Sequence, residues 1–264
     1  FPNLERVDFA GGEVLYQKQF FPALEKLAEH PNAKHMKIIF HSNFNADFDP
    51  VRLSELLHNF GNVHIQISVD AGPRIYAYFR DGDWEKLKSN IAAFKAADNN
   101  HCELNIVYTT GTYQLMEIKD AMLNFLELDI NYIDASIIYT PSYLNPSVMM
   151  LKHRYKVLND IEETRNEIIK VDKQRRQHLE ETSKLCSYHV MEEVKEYPLW
   201  SDTMSAIKSL ETIRSYILNH DSNSQDWKSF MKYIERTDEL WQQSFNEHFV
   251  NYQYVNGEVV NVSS

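Results

Sequence analysis

Apolar and polar positions along the first half of the chain fall into a repeat. Short runs rich in β-branched and aromatic residues occur at 7–10 (VDFA), 37–42 (KIIFHS), 64–69 (HIQISV), 103–109 (ELNIVYT) and 135–139 (ASIIY), their starts 30, 27, 39 and 32 residues apart. Between them apolar residues return at three and four spacing, as at Phe21, Leu24, Leu27 and Ala28, then at Leu53, Leu56, Leu57 and Phe60. That is the period of a helix laid on a core, whereas the runs have the length of strands. Asp49 before Pro50 and Asp83 before Trp84 read as helix starts. Strand, helix, strand at about thirty residues predicts parallel βα units with right-handed crossovers. Five units predict an α/β fold: a partial (β/α) TIM-type barrel, or an open sheet, over residues 1–150.

The pattern changes after Pro146. Residues 151–196 hold no glycine or proline and many Lys, Arg, Glu and Gln, which predicts a long polar helix or helical hairpin outside the barrel. Two further helices are expected at 202–219 and 224–249. A hairpin turning at Asn256-Gly257 is expected in the tail. Residues 151–264 are therefore read as a helical C-terminal extension.

Charge and cysteine content narrow the function. Thirty-eight acidic residues against twenty-seven basic ones give a net charge of −11, with no run of Lys and Arg, so nucleic acid is not an expected partner. No apolar run approaches the ~18 residues of a membrane span and no leader opens the chain, so a soluble, cytoplasmic protein without membrane contact is expected. Cys102 and Cys186, 84 positions apart, are expected to be reduced thiols. The start at Phe1 leads to the expectation that upstream residues are missing.

If the strands are parallel, the residues after them share one rim: Gly11, Gly12 and Glu13; His41, Ser42 and Asn43; Ser68 and Asp70; Thr109 and Thr110; Tyr139 and Thr140. Glycines let a ligand approach the backbone, and the carboxylate beside them accepts hydrogen bonds from an ammonium group. Asp70 has the chemistry to hold a ribose. The rim outlines a small polar, amino-acid-like metabolite. A second reading has Glu13, His41 and Asp70 ligating a divalent metal such as Mn²⁺, Mg²⁺ or Zn²⁺.

In "VDFAGGEVLYQKQFFPALEKL", "KIIFHSNFN", "VHIQISVDAGPRIYAYFRDGDWEKLKSNI" and "YTPSYLNPSVMMLKHRYKVL", the chain resembles the radical S-adenosylmethionine enzymes, in the subgroup with a twitch or SPASM-like C-terminal extension. The resemblance rests on GGE, His-Ser-Asn-Phe after the second run, SVDAG with Arg80, and PSYLNP in order, and covers about 7–158. It implies that Glu13, with Gly11 and Gly12, holds the methionyl amino group of S-adenosylmethionine and faces that ligand rather than a core partner. By the same resemblance Asn43 and Ser68 contact ribose or carboxylate, Asp70 supports the ribose, Arg80 neutralises the carboxylate, Thr109 belongs to the same rim, and Tyr139 lies along the adenine. The activity implied is cofactor cleavage to a 5′-deoxyadenosyl radical that abstracts hydrogen, the substrate being a peptide or protein side chain.

The family holds a [4Fe-4S] cluster on a Cys-x3-Cys-x2-Cys loop upstream of GGE, and no such loop is present in this sequence. The cluster is expected in a full-length protein and not on this chain, which alone is expected to be inactive. Val14 also stands where the family usually has proline. A non-catalytic alternative is a cluster-less barrel serving as a binding or scaffold module, with 151–196 as its docking arm.

Overall fold

The computed structural model describes residues 3–98, 100–183, 201–221, 224–249 and 251–262. Five strands, β1 (Arg6–Phe9), β2 (Lys37–Ser42), β3 (Asn62–Ser68), β4 (Glu103–Thr110) and β5 (Tyr132–Ile137), form one sheet in the order 1-2-3-4-5. Every neighbouring pair is parallel. The fold is therefore α/β, as the repeat predicts, with β1 and β5 as the two edges. The connections hold α1 (Phe20–Ala28), α2 (Pro50–Leu57), α3 (Pro73–Arg80), α4 (Trp84–Asp98), α5 (Thr112–Met116) and α6 (Ile118–Glu127). Both expected helix starts are real: Asp49 caps α2 by accepting from Val51 N and Arg52 N, and Asp83 accepts from Glu85 N and Lys86 N at the start of α4.

Burial alternates along each central strand, so the sheet has two unlike faces. One carries Phe40, Ile65, Ile67, Ile106, Tyr108 and Ile133, all buried under the helices. Phe40 meets Phe20 of α1 at 5.2 Å and Tyr108 meets Phe125 of α6 at 5.2 Å, each edge to face. The other face carries half-buried or exposed His64, Gln66, Asn105, Val107, Asp134 and Ser136.

The edge strand β5 begins and ends earlier than the apolar run suggested, and Tyr139 lies beyond its end. Its outer edge is satisfied by a helix. In α8 (Ser201–Asn219), which follows the 33-residue α7 (Leu151–Ser183), Ser205 Oγ accepts from Ile133 N at 2.9 Å. Ser209 Oγ accepts from Ala135 N at 3.1 Å and donates to Ile133 O at 3.0 Å. These hydroxyls supply partners that a sixth strand would otherwise give, which is one way a protein covers a sheet edge. α9 (Ser224–Trp241) and α10 (Phe245–His248) follow. The hairpin of β6 (Tyr252–Val255) and β7 (Glu258–Asn261) turns at Asn256 and Gly257, both at positive φ, as two-residue hairpin turns require.

The reading of the long helix as a polar arm is corrected within its described part. α7 carries a buried stripe of His153, Val157, Ile161, Thr164, Ile168 and Asp172, and it packs on α6 and α8. Every step in that stripe is three or four residues, so all six lie on one face. The buried apolar cluster runs from the sheet through α7, α8 and α9 without a break.

Candidate functional site

The turn after β1 is made by two glycines in left-handed conformations, Gly11 at φ +96° and Gly12 at φ +62°. A Cβ at Gly11 would meet nothing within 4 Å, so what requires glycine there is backbone conformation, and the peptide stands open on one side. Gln17 Nε2 donates to Gly11 O at 3.1 Å and holds the turn from below.

Glu13 is the centre of this rim. Its Oε1 accepts from Leu15 N at 3.1 Å, capping a short 3₁₀ turn over Val14–Tyr16, and from Ser42 Oγ at 2.7 Å. Its Oε2 accepts from Asn43 N at 2.6 Å. The expectation that this carboxylate faces a ligand rather than protein partners is therefore corrected: it ties the ends of β1 and β2 together. The reason is local. After β2 the chain Ser42-Asn43 turns so that Phe44 adopts φ +54°, and the amide of Asn43 at the sheet end needs an acceptor. A carboxylate offers about four acceptor positions. Three are used in Glu13, which leaves one on Oε2.

A second polar set stands at the ends of β3 and β4. Asp70 Oδ2 lies 2.5 Å from Arg80 Nη2, and Asp70 Oδ1 accepts from Thr109 N at 3.4 Å. Arg80 arrives from the last turn of α3, and its Nε is buried without a hydrogen-bond partner. Tyr76, one turn earlier, joins the two sets. Burial pushes its hydroxyl up to about 12, and it feels the charges of Arg80, Asp70 and Glu13. Asn45 Nδ2 donates to Tyr76 Oη at 3.5 Å and to Asp83 O at 2.6 Å. Ser68 lies on the open face of β3, half-buried.

Gly11, Gly12, Glu13 and Asn43 thus form one cluster, and Asp70, Arg80 and Thr109 another, linked through Tyr76. Tyr139 joins neither. It is 68% exposed and meets Tyr216 of α8 edge to face at 5.8 Å, in a groove of about 500 Å³ shared with His220 and Lys208. The PSYLNP motif is structural here. Asn145 Nδ2 donates to Ile138 O at 2.7 Å, Tyr216 Oη donates to Asn145 Oδ1 at 3.0 Å, and Thr112 Oγ1 donates to Asn145 O at 2.9 Å. Sequence reasoning missed Tyr76 and Asn45. The signal for Tyr76 was its placement one turn before Arg80 on an amphipathic helix.

The divalent-metal reading is corrected. Among the described residues no three His, Cys, Asp or Glu side chains converge to hold a metal ion. Glu13 is committed to three donors and Asp70 to Arg80, while His41 stands exposed on β2. The one described thiol does not fit an iron–sulfur cluster either. Cys102 is buried at the amino end of β4, away from the rim, and burial holds its thiol far above the range in which it would ionise. Cys186 lies outside the described residues. Among the described residues no helix is long and apolar enough to cross a membrane.

No sequence family and no curated protein matches the chain. Among solved structures, it is similar to the radical S-adenosylmethionine methyltransferase TsrM from Kitasatospora setae, solved with tryptophan substrate and the SAM analogue aza-SAM, at 11% identity and a TM-score of 0.40 over 53% of this chain and 28% of that one. It is also similar to anSMEcpe with bound AdoMet and the Kp18Cys peptide, at 20% identity and a TM-score of 0.44 over 62% of this chain and 48% of that one. The chain spans less than half the length of either.

Proposed function

We propose that the rim formed by the ends of β1 to β4 binds S-adenosylmethionine, and that the chain is part of a radical S-adenosylmethionine enzyme acting on a peptide or protein side chain. One observation carries the reading: Glu13 is fixed by Leu15, Ser42 and Asn43 with one acceptor position left on Oε2, beside an open glycine turn. A carboxylate held in this way loses no side-chain entropy on binding an ammonium, and a hydrogen bond between charged groups contributes roughly 1.5–3 kcal/mol. In this reading Asp70 and Ser68 take the ribose hydroxyls. Arg80, whose Nε has no protein partner, takes the carboxylate of the methionyl group.

Bound in this way, the cofactor would supply hydrogen-atom abstraction. The chain's own residues orient it and neutralise its charged ends. The [4Fe-4S] cluster of such enzymes has no ligand set among the described residues. That same observation, one described thiol and that one buried, favours a second reading: a binding module that holds the cofactor or a peptide without performing chemistry.

Calorimetric titration of the chain with S-adenosylmethionine tests the proposal. Saturable one-to-one binding that weakens at least tenfold in Arg80→Met and Asp70→Asn supports it. Absence of binding, or equal binding by the variants, overturns it.

A further inference from the structure

Parallel sheets are normally covered on both faces and read as continuous apolar runs. This one does not. On the face turned away from the helices, β3 carries His64, Gln66 and Ser68, β4 carries Glu103, Asn105 and Thr109, and β5 carries Tyr132, Asp134 and Ser136. In register, His64 lies opposite Glu103, Gln66 opposite Asn105, Val107 opposite Asp134 and Thr109 opposite Ser136. Across these three strands that face holds two carboxylates and no lysine or arginine.

The hydrogen bonding shows what the face lacks. Asn105 Nδ2 donates to Glu103 Oε1 at 2.8 Å, and His64 Nδ1 lies 3.5 Å from Glu103 Oε2. With its amide nitrogen committed to Glu103, Asn105 Oδ1 is left as an acceptor that is buried with no donor on it. A buried acceptor left unpaired is costly, so its missing partner is a hydrogen-bond donor. Asp134, exposed on the next strand, adds a negative charge within diagonal reach of Asn105, since neighbouring strands lie about 4.8 Å apart.

We infer that this face, between Gln66, Asn105 and Asp134, is a substrate subsite for a basic side chain of a peptide, its ammonium or guanidinium group donating to Asn105 Oδ1 and pairing with Asp134. The inference deepens the proposed function, because the subsite runs into the rim. Asp134 and Val107 precede Ser136 and Thr109 by two residues, about 7 Å at the rise of a strand, so a side chain bound there lies beside the position assigned to the cofactor. A guanidinium suits the set best. Its planar fork of five donors spans two acceptors on adjacent strands, and the strongly acidic chain draws cations toward it.

The test uses two blocked pentapeptides of glycine, one with a central arginine and one with a central glutamate, titrated calorimetrically into the chain without S-adenosylmethionine. The expected result is at least tenfold tighter binding of the arginine peptide, with Asp134→Asn and Asn105→Ala each reducing it about tenfold or more. S-adenosylmethionine affinity should stay within about twofold in both variants. Asp134 is exposed, so Asp134→Asn keeps its fold and the result is readable even where Asn105→Ala does not fold. Equal affinity for the two peptides, or an Asp134→Asn variant that binds as tightly as the parent, overturns the inference. Failure of S-adenosylmethionine to bind while the arginine preference persists would sink the cofactor reading alone.

Discussion

Replacing Glu13 by glutamine separates two things that one carboxylate does. In the unliganded chain it accepts from Leu15 N, Ser42 Oγ and Asn43 N at 3.1, 2.7 and 2.6 Å. Glutamine keeps one oxygen and puts an amide nitrogen in the place of the other. Where Oε1 is retained, the new NH₂ faces the Asn43 N–H, donor against donor, and the shortest of the three bonds is lost. A hydrogen bond to a charged group contributes roughly 1.5–3 kcal/mol. For a chain of this size each kcal/mol moves the midpoint by about 2–4 °C, so Glu13→Gln should lower the melting temperature of the unliganded protein by roughly 4–10 °C. The same change removes the charge at the remaining Oε2 position and should weaken S-adenosylmethionine binding by about 10- to 100-fold. Thermal unfolding followed by circular dichroism reads the first effect and calorimetric titration at a temperature where both proteins are folded reads the second. A midpoint unchanged within about 1 °C would refute the placement of Glu13 between the ends of β1 and β2.

Other outcomes follow from buried groups away from the rim. Burial raises the Glu117 carboxyl to about 7 even though Arg74 sits 2.8 Å away, and burial lowers His153 to about 4. The signs oppose. Folded Glu117 keeps a proton that the unfolded chain has lost, so its contribution is present below about 4.5 and is lost as pH rises through about 7. Folded His153 refuses a proton that the unfolded chain takes, so its contribution is present above about 6.5 and is lost as pH falls through about 4. Each amounts to roughly 3 kcal/mol, and the two largely cancel between pH 5 and 6.5. In urea titrations at pH 5, 6 and 7, Glu117→Gln should leave a stability that rises with pH and His153→Gln one that falls, and parallel profiles for the two variants would contradict the assignment. Ser209→Ala strips the β5 edge of a donor and an acceptor at Ile133 and Ala135, so a loss of about 2–4 kcal/mol in the same assay is expected, and a change under about 0.5 would mean that α8 does not hold that edge.

The sheet was legible in the sequence because each βα unit carries its own signal: an apolar run of strand length, then a capped amphipathic helix. Asp49 and Asp83 could be read as caps because capping is local. The two faces of the sheet were not distinguished, although the alternation in HIQIS and ELNIVYT holds the information. The β5 edge was invisible because the serines that close it lie some seventy residues later, on a helix chosen by packing. The stripe on α7 was hidden by His153, Thr164 and Asp172, polar residues that are buried there and break the apolar pattern. At the site, the resemblance singled out the Gly11-Gly12 turn and Glu13. It could not show that Ser42 and Asn43 already use that carboxylate, since hydrogen bonds between strand ends about thirty residues apart depend on register. Tyr139 was assigned to the rim by counting from a strand that ends two residues before it, and the structure gives it to the groove with α8.

A crystal structure of the chain soaked with S-adenosylmethionine is the most direct test of the rim as a cofactor site. The expected density places the methionyl ammonium on Glu13 Oε2 over the Gly11-Gly12 turn, the ribose at Asp70 and the carboxylate at Arg80. Density confined to the Tyr139–Tyr216 groove, or none at saturating ligand, would contradict it.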